Sequence, residues 1–319
     1  MHAPRASAVV LSYDGRDLLE SFLPSVLAQD YGDFEVVVVD NGSTDGSVGM
    51  LRERWPEVRI VALPENVGVT AALNAMVRAG EGEYVALLNN DVELEPSWLR
   101  ILVGVMDRRP ELASSAGKLL QHRNRGRIDR VGDEVRWSSA CFGRGSGDLD
   151  SGQFETGEEV FTVGGAAAVY RRSAFARVGP FDDDFFAYVE DVDWGFRARL
   201  AGYAAWYEPT AVGYHLGGGT LGGINPFSLY HLRRNQLWLV LKNYPAASLL
   251  RHGPSVLLFN LAGLGMAVRR RQVGLVLKAY RDALRGVRPA LRKRRTIQRS
   301  RTVGSRELER FIERAGRPW

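Results

Sequence analysis

The sequence has a single cysteine, Cys141, in 319 residues. No intrachain disulfide can form, and no metal site can be built from thiolates. One cysteine also fits a reducing compartment. Long apolar runs are scarce as well. Residues 254–268 are nearly all apolar, with Ser255 and Asn260 as the exceptions, but that is about 15 residues, short of the roughly 20 that a spanning helix needs. Residues 1–13 lack the layout of a secretory leader. Their apolar run, 8–11, is too brief for its hydrophobic segment and reads as a first strand. No internal repeat is present. With 45% hydrophobic and 25% charged residues, wholesale disorder is excluded.

Charge is present but unevenly spread. The chain carries +5 overall, yet residues 269–319 hold 17 Lys/Arg against 4 Asp/Glu, a local +13 that leaves −8 on the first 268 residues. A basic tail on an acidic body calls for an anionic partner, a membrane surface before a nucleic acid.

Strand and helix patterns alternate through the first 120 residues. Segments 6–13, 34–39, 58–62 and 84–88 are short, β-branched-rich apolar runs of the kind that form buried parallel strands. Between them, Leu18, Leu19, Phe22, Leu23, Val26 and Leu27 recur at helical spacing. Residues 69–79 and 97–108 do the same, and Pro96 suits a helix start. The alternation predicts a doubly wound α/β sheet, whose ligand site lies at the carboxyl ends of the strands. Each of those ends is polar: Ser12-Tyr13-Asp14, then Asp40-Asn41-Gly42-Ser43-Thr44-Asp45, then Glu65-Asn66-Val67-Gly68, then Asn89-Asn90-Asp91-Val92-Glu93. Further on, 121–160 reads as loops with a hairpin, 161–170 as a strand, 184–202 as a helix and 203–208 as a strand. Beyond Pro226 the chain turns helical and basic.

Five segments carry a resemblance. V-V-V-V-D-N-G-S-T-D (36–45) and N-V-G-V-T-A-A-L-N (66–74) resemble the nucleotide-binding signature of family 2 glycosyltransferases with the GT-A fold. L-L-N-N-D-V-E-L (87–94) looks like that family's D-x-D region. G-G-A-A-A-V-Y-R-R (164–172) and F-F-A-Y-V-E-D-V-D-W-G-F-R (185–197) look like its acceptor and catalytic-base segment. The order and mutual spacing of the five matter more than any one of them, and the subgroup most resembled is the bacterial rhamnosyltransferase-like enzymes.

The resemblance implies a Rossmann-like mixed sheet flanked by helices over residues 1–225, with a nucleotide-binding half to about residue 120 and an acceptor half from about 121. A helical, basic extension over 226–319 follows. It implies a nucleotide-diphosphate sugar, UDP- or dTDP-linked, held by Ser12, Tyr13, Asp14, Asp40, Asn41, Asp45, Asn66, Gly68, Asn74, Asn89 and Asn90. Asp40 would accept the imide N–H of the base, a role that fits uracil and thymine equally. Asp45 also reads as the cap of the next helix. Asp91 would hold Mn²⁺ or Mg²⁺ against the diphosphate. Asn89 stands where the family has its first aspartate, with Glu93 as a substitute. His215, in Y-H-L-G-G-G-T, would complete the metal site, and the amides of Gly217-Gly218-Gly219 would reach the diphosphate. Asp191 would be the general base of an inverting displacement, with Glu190 its neighbour or an acceptor contact, and the like charge would raise the proton affinity of one of the two. Gly164, Gly165 and Trp194 would face the acceptor, a glycan or lipid-linked hydroxyl; for Trp194, Tyr188 and Phe186 two readings stand, stacking on a sugar ring or a place in the core. Asp182-Asp183-Asp184 reads as a solvated turn.

For 254–268, followed at once by Arg269-Arg270-Arg271, two readings stand: an interfacial anchor on an anionic leaflet or a helix docked on the catalytic domain. The expected location is cytoplasmic, peripheral to the inner face of the plasma membrane. Rival functions are a sugar nucleotidyltransferase, for which Ser12-Tyr13-Asp14-Gly15-Arg16 is a poor triphosphate loop, and a non-catalytic nucleotide-sugar-binding protein, which Asn89 keeps open. Nucleic-acid binding by the tail lacks the interleaved aromatics of a single-strand binder.

Overall fold

Strands buried on both faces organise the first half of the chain. The computed structural model describes residues 3–217 and 225–315. In it β1 (Ala6–Ser12), β2 (Phe34–Asp40) and β3 (Arg59–Ala62) run parallel, joined by α1 (Arg16–Leu27) and α2 (Ser47–Arg54). After α3 (Val69–Ala79), β4 (Tyr84–Asn89) inserts parallel to β1 on its other side. Side chains of alternate sign along β1, such as Ala8 and Val9, enter two different cores on the two faces of the sheet. That is why the run reads as continuously apolar rather than alternating.

The second half extends the same sheet with mixed pairing. β5 (Val92–Leu94), α4 (Trp98–Arg108), β6 (Leu112–Gln121) and β7 (Asn124–Arg130) lead to a small hairpin of β8 (Asp133–Val135) and β9 (Cys141–Gly143). Then come β10 (Glu158–Val160), β11 (Ala167–Arg171), α5 (Arg172–Val178), a 3₁₀ turn (Asp183–Phe185), α6 (Glu190–Leu200) and β12 (Ala204–His215). The strand order is β10-β12-β6-β11-β4-β1-β2-β3, with β5 on β12 and β7 on β6. β11 lies antiparallel between β4 and β6. This is the Rossmann-like mixed sheet of a GT-A domain.

Two pairings position the polar strand ends. β5 returns from the end of β4 and pairs with β12 so that Val92 faces His215. Asp91 and His215, far apart in sequence, are thereby adjacent. The helical region follows: α7 (Pro226–Asn243), α8 (Ala246–Arg269), α9 (Val273–Arg285), α10 (Val287–Ser300) and α11 (Ser305–Ala315). Its first helix opens with a capping box between Asn225 and Ser228 and a proline at its start.

Three expectations need correction here. The strand expected over 161–170 is confined to β11, because Gly165 adopts φ +78° and turns the chain just before it. The helix expected from 184 begins only at Glu190. Phe186, Tyr188 and Val189 sit at φ +63°, +67° and +73°, which no helix allows. Nor is Asp182 solvated: its buried carboxylate pairs with Lys242 and Lys293 and ties the α10 end of the helical region to the site loop.

Candidate active site

The strand ends converge on a cavity of about 750 Å³. Tyr13, Asn41, Asn66 and Gly68 line one side. Asn89, Asn90, Asp91 and His215 line the middle, and Gly164, Gly165, Glu190 and Asp191 the far side. Phe227 and Leu232 of α7 close the wall.

On the first side the loops after β1, β2 and β3 hold one another. The Ser43 backbone N–H donates to Asp40 Oδ2 at 3.0 Å, while the buried Oδ1 has no partner among the described residues. A buried carboxylate oxygen without a donor is costly, and an imide N–H would satisfy it. Asn41 Oδ1 accepts from the Val67 N–H (3.0 Å), and its amide donates to Asn66 Oδ1 (3.1 Å), which also accepts from the Gly68 N–H (3.0 Å). Gly68 stands at φ +85°, and a Cβ there would lie 2.6 Å from the Phe186 ring. Only glycine lets that ring lie across the loop.

Some residues expected at the nucleotide are spent on structure. Asn74 is buried away from the cavity: its amide donates to the Phe181 carbonyl (2.9 Å) and Asp183 (2.8 Å), and its oxygen accepts from the Phe181 N–H (2.9 Å). It fastens α3 to the segment before α6. Asp45 accepts from the N–H groups of Arg16 (2.8 Å) and Ser47 (3.0 Å), so it joins two helix starts rather than facing ligand. Asp14, at φ +44°, accepts from the Thr44 N–H at 2.8 Å. Ser12 is buried and its hydroxyl accepts from the Asn90 amide at 3.1 Å. Asp14 and Ser12 thus shape the cavity from behind Tyr13 and Asn90.

In the middle, His215 Nε2 lies 3.3 Å from Asp91 Oδ1, and its Nδ1 lies 3.1 Å from Asp129 Oδ2. Burial disfavours a charged imidazole, but the two carboxylates outweigh it and push His215 up to about 9. Among the described residues no group of three His, Cys, Asp or Glu is set to hold a metal. One carboxylate and one imidazole still suit Mn²⁺ or Mg²⁺ when a diphosphate and water complete the shell. Glu93 is committed elsewhere, to Arg125 (2.7 Å) and His122 (3.1 Å). Gly218 and Gly219 lie outside the described residues.

On the far side α6 starts in the cavity. Asp191 Oδ2 accepts from the Gly165 N–H (3.2 Å) and Oδ1 from the Val192 N–H (2.7 Å). A Cβ on Gly164 would lie 2.0 Å from Asp191 Oδ2, so the carboxylate rests directly on bare backbone. Glu190 is buried with Oε2 unpartnered; desolvation and the Asp191 charge push it up to about 8. Arg130 donates to Asp133 at 2.7 Å, and Asp133, buried, rises to about 7 through desolvation despite that partner.

The loop entering α6 is over-determined. The Asn235 amide of α7 lies 3.0, 2.8 and 2.7 Å from the carbonyls of Phe185, Ala187 and Tyr188, and the Thr70 N–H donates to Phe186 O at 3.0 Å. Three left-handed non-glycine residues cost of order 1–3 kcal/mol each, and such strain persists only where surroundings impose it.

Trp194 does not face the acceptor. It is fully buried among Tyr170, Phe175 and Phe181, and its indole N–H donates to the Gly179 carbonyl at 3.0 Å. Aromatic side chains that line the cavity include Tyr13, Phe142, Phe186, Tyr188 and Phe227. Sequence reasoning missed Asp129, Arg130, Asp133 and Asn235. The only sequence signal for the first three is the carboxylate–arginine run Asp129-Arg130-Val131-Gly132-Asp133 in a polar stretch.

The model of the family described as glycosyl transferase family 2 matches residues 7–179, more than half the chain. The chain belongs to that family. Among its relatives, an N-acetylglucosaminyl-diphospho-decaprenol L-rhamnosyltransferase of Mycobacterium tuberculosis is 30% identical over 234 residues, covering 65% of this chain and 74% of that protein. O-antigen biosynthesis protein RfbC of Myxococcus xanthus is 32% identical over 209 residues, 62% of this chain and 16% of RfbC. GalNAc-T7, solved with UDP, GalNAc and Mn²⁺, shares the fold at TM-score 0.61 and 14% identity, over 75% of this chain and 49% of its own. The protein is therefore a glycosyltransferase of the rhamnosyltransferase-like branch of family 2, and the nucleotidyltransferase and non-catalytic readings give way to it.

Proposed function

We propose that this glycosyltransferase moves a sugar, rhamnose first among candidates, from a UDP- or dTDP-linked donor to a hydroxyl of a glycan or lipid-linked acceptor, with inversion. Its setting is cell-wall or polysaccharide biosynthesis at the cytoplasmic face of a membrane. The names of the two relatives support the sugar and the setting.

The nucleotide sits over Asp40, Asn41 and the Asn66–Gly68 turn, with the base on the unpartnered Asp40 oxygen. Asp91 and His215 would hold Mn²⁺ or Mg²⁺, and Asn89 and Asn90 would line the diphosphate side. When bound, the cation neutralises charge on the departing nucleoside diphosphate. Asp191 takes the proton of the acceptor hydroxyl, whose oxygen forms a bond to the anomeric carbon as the bond to the diphosphate breaks. Glu190 keeps its proton at neutral pH, so it positions the acceptor by donating a hydrogen bond. Gly164 and Gly165 form the floor under the Asp191 carboxylate.

The observation that carries this reading is the Asp191 carboxylate, held by two backbone N–H groups in the same cavity as the Asp91–His215 pair. The test is thermal stabilisation by a panel of nucleotide-sugars with Mn²⁺, Mg²⁺ or chelator, followed by transfer assays with the donor that binds. Binding to the folded state raises the midpoint by mass action. One donor should stabilise the wild type, lose its effect with chelator and in Asp91→Ala, and keep it in Asp191→Asn, which should lose transfer. No stabilisation by any donor would refute the reading.

A further inference from the structure

The α8 helix is apolar on the wrong side for a docked helix. Its buried positions are Ser248, Gly263 and Ala267. A Cβ on Gly263 would lie 2.5 Å from the Arg233 guanidinium, and the Tyr280 hydroxyl donates to the Asn260 carbonyl at 3.1 Å. The fully buried positions are thus small, with Leu249 and Val256 partly buried against the core beside them, while a stripe of other large residues faces outward. Leu257, Leu258 and Leu261 are 61%, 66% and 55% exposed, and Leu250, Met266 and Val268 are exposed with them. These positions recur at helical spacing, and no charged residue lies between 254 and 268.

The rim of this stripe is basic. Arg269, Arg270 and Arg271 follow it directly and are exposed, and Lys278, Arg281 and Arg285 stand exposed on the adjoining α9, beside exposed Leu277 and Leu284. α8 itself has no acidic residue, and Asp282 of α9 is taken by Tyr230, Arg281 and Arg285. Like charge around an apolar face opposes pairing with a second copy and favours an anionic lipid surface. Among the described residues no helix is long and apolar enough to cross a membrane.

We infer that the α8–α9 face lies in the interfacial region of an anionic bilayer, leucines among the acyl chains and arginines at the headgroups. The same helical layer reaches the cavity. Trp238 of α7 donates to the Ala283 carbonyl of α9 at 2.9 Å, and Phe227 and Leu232 of α7 line the cavity wall. Docking would thus bring that wall to the membrane. Only this use, delivery of a lipid-linked acceptor, rests on the function proposed above; the binding itself does not.

The experiment is flotation of the full chain with vesicles of phosphatidylcholine alone or with about one-third phosphatidylglycerol. The wild type should float with the anionic vesicles. Replacing Arg269, Arg270 and Arg271 together by Ser should weaken partitioning on the order of a hundredfold, at roughly fivefold per basic residue. Leu257→Glu with Leu261→Glu should weaken it roughly tenfold or more. Both variants alter exposed side chains, so melting temperature and stabilisation by donor should match the wild type. A wild type that ignores both vesicles overturns the inference, as does a double glutamate variant that floats as well as the wild type. A wild type that self-associates, ignores vesicles and is made monomeric by the glutamates also overturns it, and makes the face a contact between copies. Because donor stabilisation is read separately, loss of the membrane surface and loss of the transferase reading cannot be confused.

Discussion

Gly164→Ala puts the proposed base under direct stress. The new methyl carbon would lie 2.0 Å from Asp191 Oδ2, where ordinary contact begins at 3.4 Å. Something must yield by about 1.4 Å. The backbone has little freedom, because Asn89 N–H donates to Ala166 O at 2.8 Å and Gly165 itself turns at φ +78°. The carboxylate is the part that moves, and it gives up the Gly165 N–H in doing so. A misplacement of about 1 Å at a reacting group costs on the order of a hundredfold in rate. We expect kcat to fall roughly a hundredfold, with donor-induced stabilisation unchanged, since the nucleotide side lies across the cavity. Initial-rate kinetics with the donor found by thermal shift would measure it, with Asp191→Asn as the lower bound. If Gly164→Ala retains kcat within about threefold while Asp191→Asn is inactive, the clash is absorbed elsewhere and the positional argument is wrong. If both retain activity, Asp191 is not the base.

Asp129→Asn should weaken divalent-cation binding roughly tenfold or more, because a carboxylate on the far ring nitrogen fixes which imidazole nitrogen faces the metal. Mn²⁺ titration followed by electron paramagnetic resonance, in the presence of nucleoside diphosphate, reads this without turnover; an unchanged affinity would reject Asp129 as a positioning residue. Asn235→Leu leaves three carbonyls of the strained 185–188 segment without their shared donor and should cost about 2–3 kcal/mol in chemical denaturation. A loss below about 0.5 kcal/mol would show that the loop holds itself. Glu190 is raised from 4.5 to about 8 by burial and by Asp191, so the folded state retains a proton that the unfolded chain has released. Its contribution makes stability fall as pH rises across that window. Glu190→Gln should flatten the slope of denaturation midpoint against pH between about 4.5 and 8, and an identical slope in the variant would contradict the burial argument.

How much of this could be read in the sequence depended on what each segment buries. The strands β1, β2 and β4 and the helix α3 were legible almost to the residue, because each presents an unbroken apolar run or a clear helical period. β7 was not: of Asn124–Arg130 only Ile128 is buried, so no period of two exists to be seen, and Asp129 was lost with it. Asn235 was hidden differently. α7 buries Asn235, Gln236, Lys242 and Asn243 alongside Trp238 and Leu239, so its polar residues point inward and mimic a solvated face. Trp194 follows Glu190 by four residues and Asp191 by three, so helical spacing alone sets it on their face; its ring packs instead into the cluster of Tyr170, Phe175 and Phe181, which no period in the sequence announces.

The carboxylates around the acceptor side explain why one of them would act as base. Asp133, Glu190 and Asp191 share a small region in which Arg130 is the nearby cation and is already bonded to Asp133. Three negative charges there would repel strongly, and burial raises the proton affinity of two of the three: among the described residues Glu190 and Asp133 each keep an oxygen with no donor. Asp191 is the one held by two backbone N–H groups, from Gly165 and from Val192 in the first turn of α6, where the helix terminus also favours negative charge. Environment thus separates chemically similar groups: burial holds the proton on Glu190, Asp133 is paired with Arg130, and Asp191 is left as the proposed proton acceptor. The strained Phe186–Val189 segment is what sets α6 at that position. Asn235 holds the segment from the same helical layer that carries the exposed leucines of α8, so the placement of the proposed base and the proposed orientation toward a membrane would depend on one piece of structure.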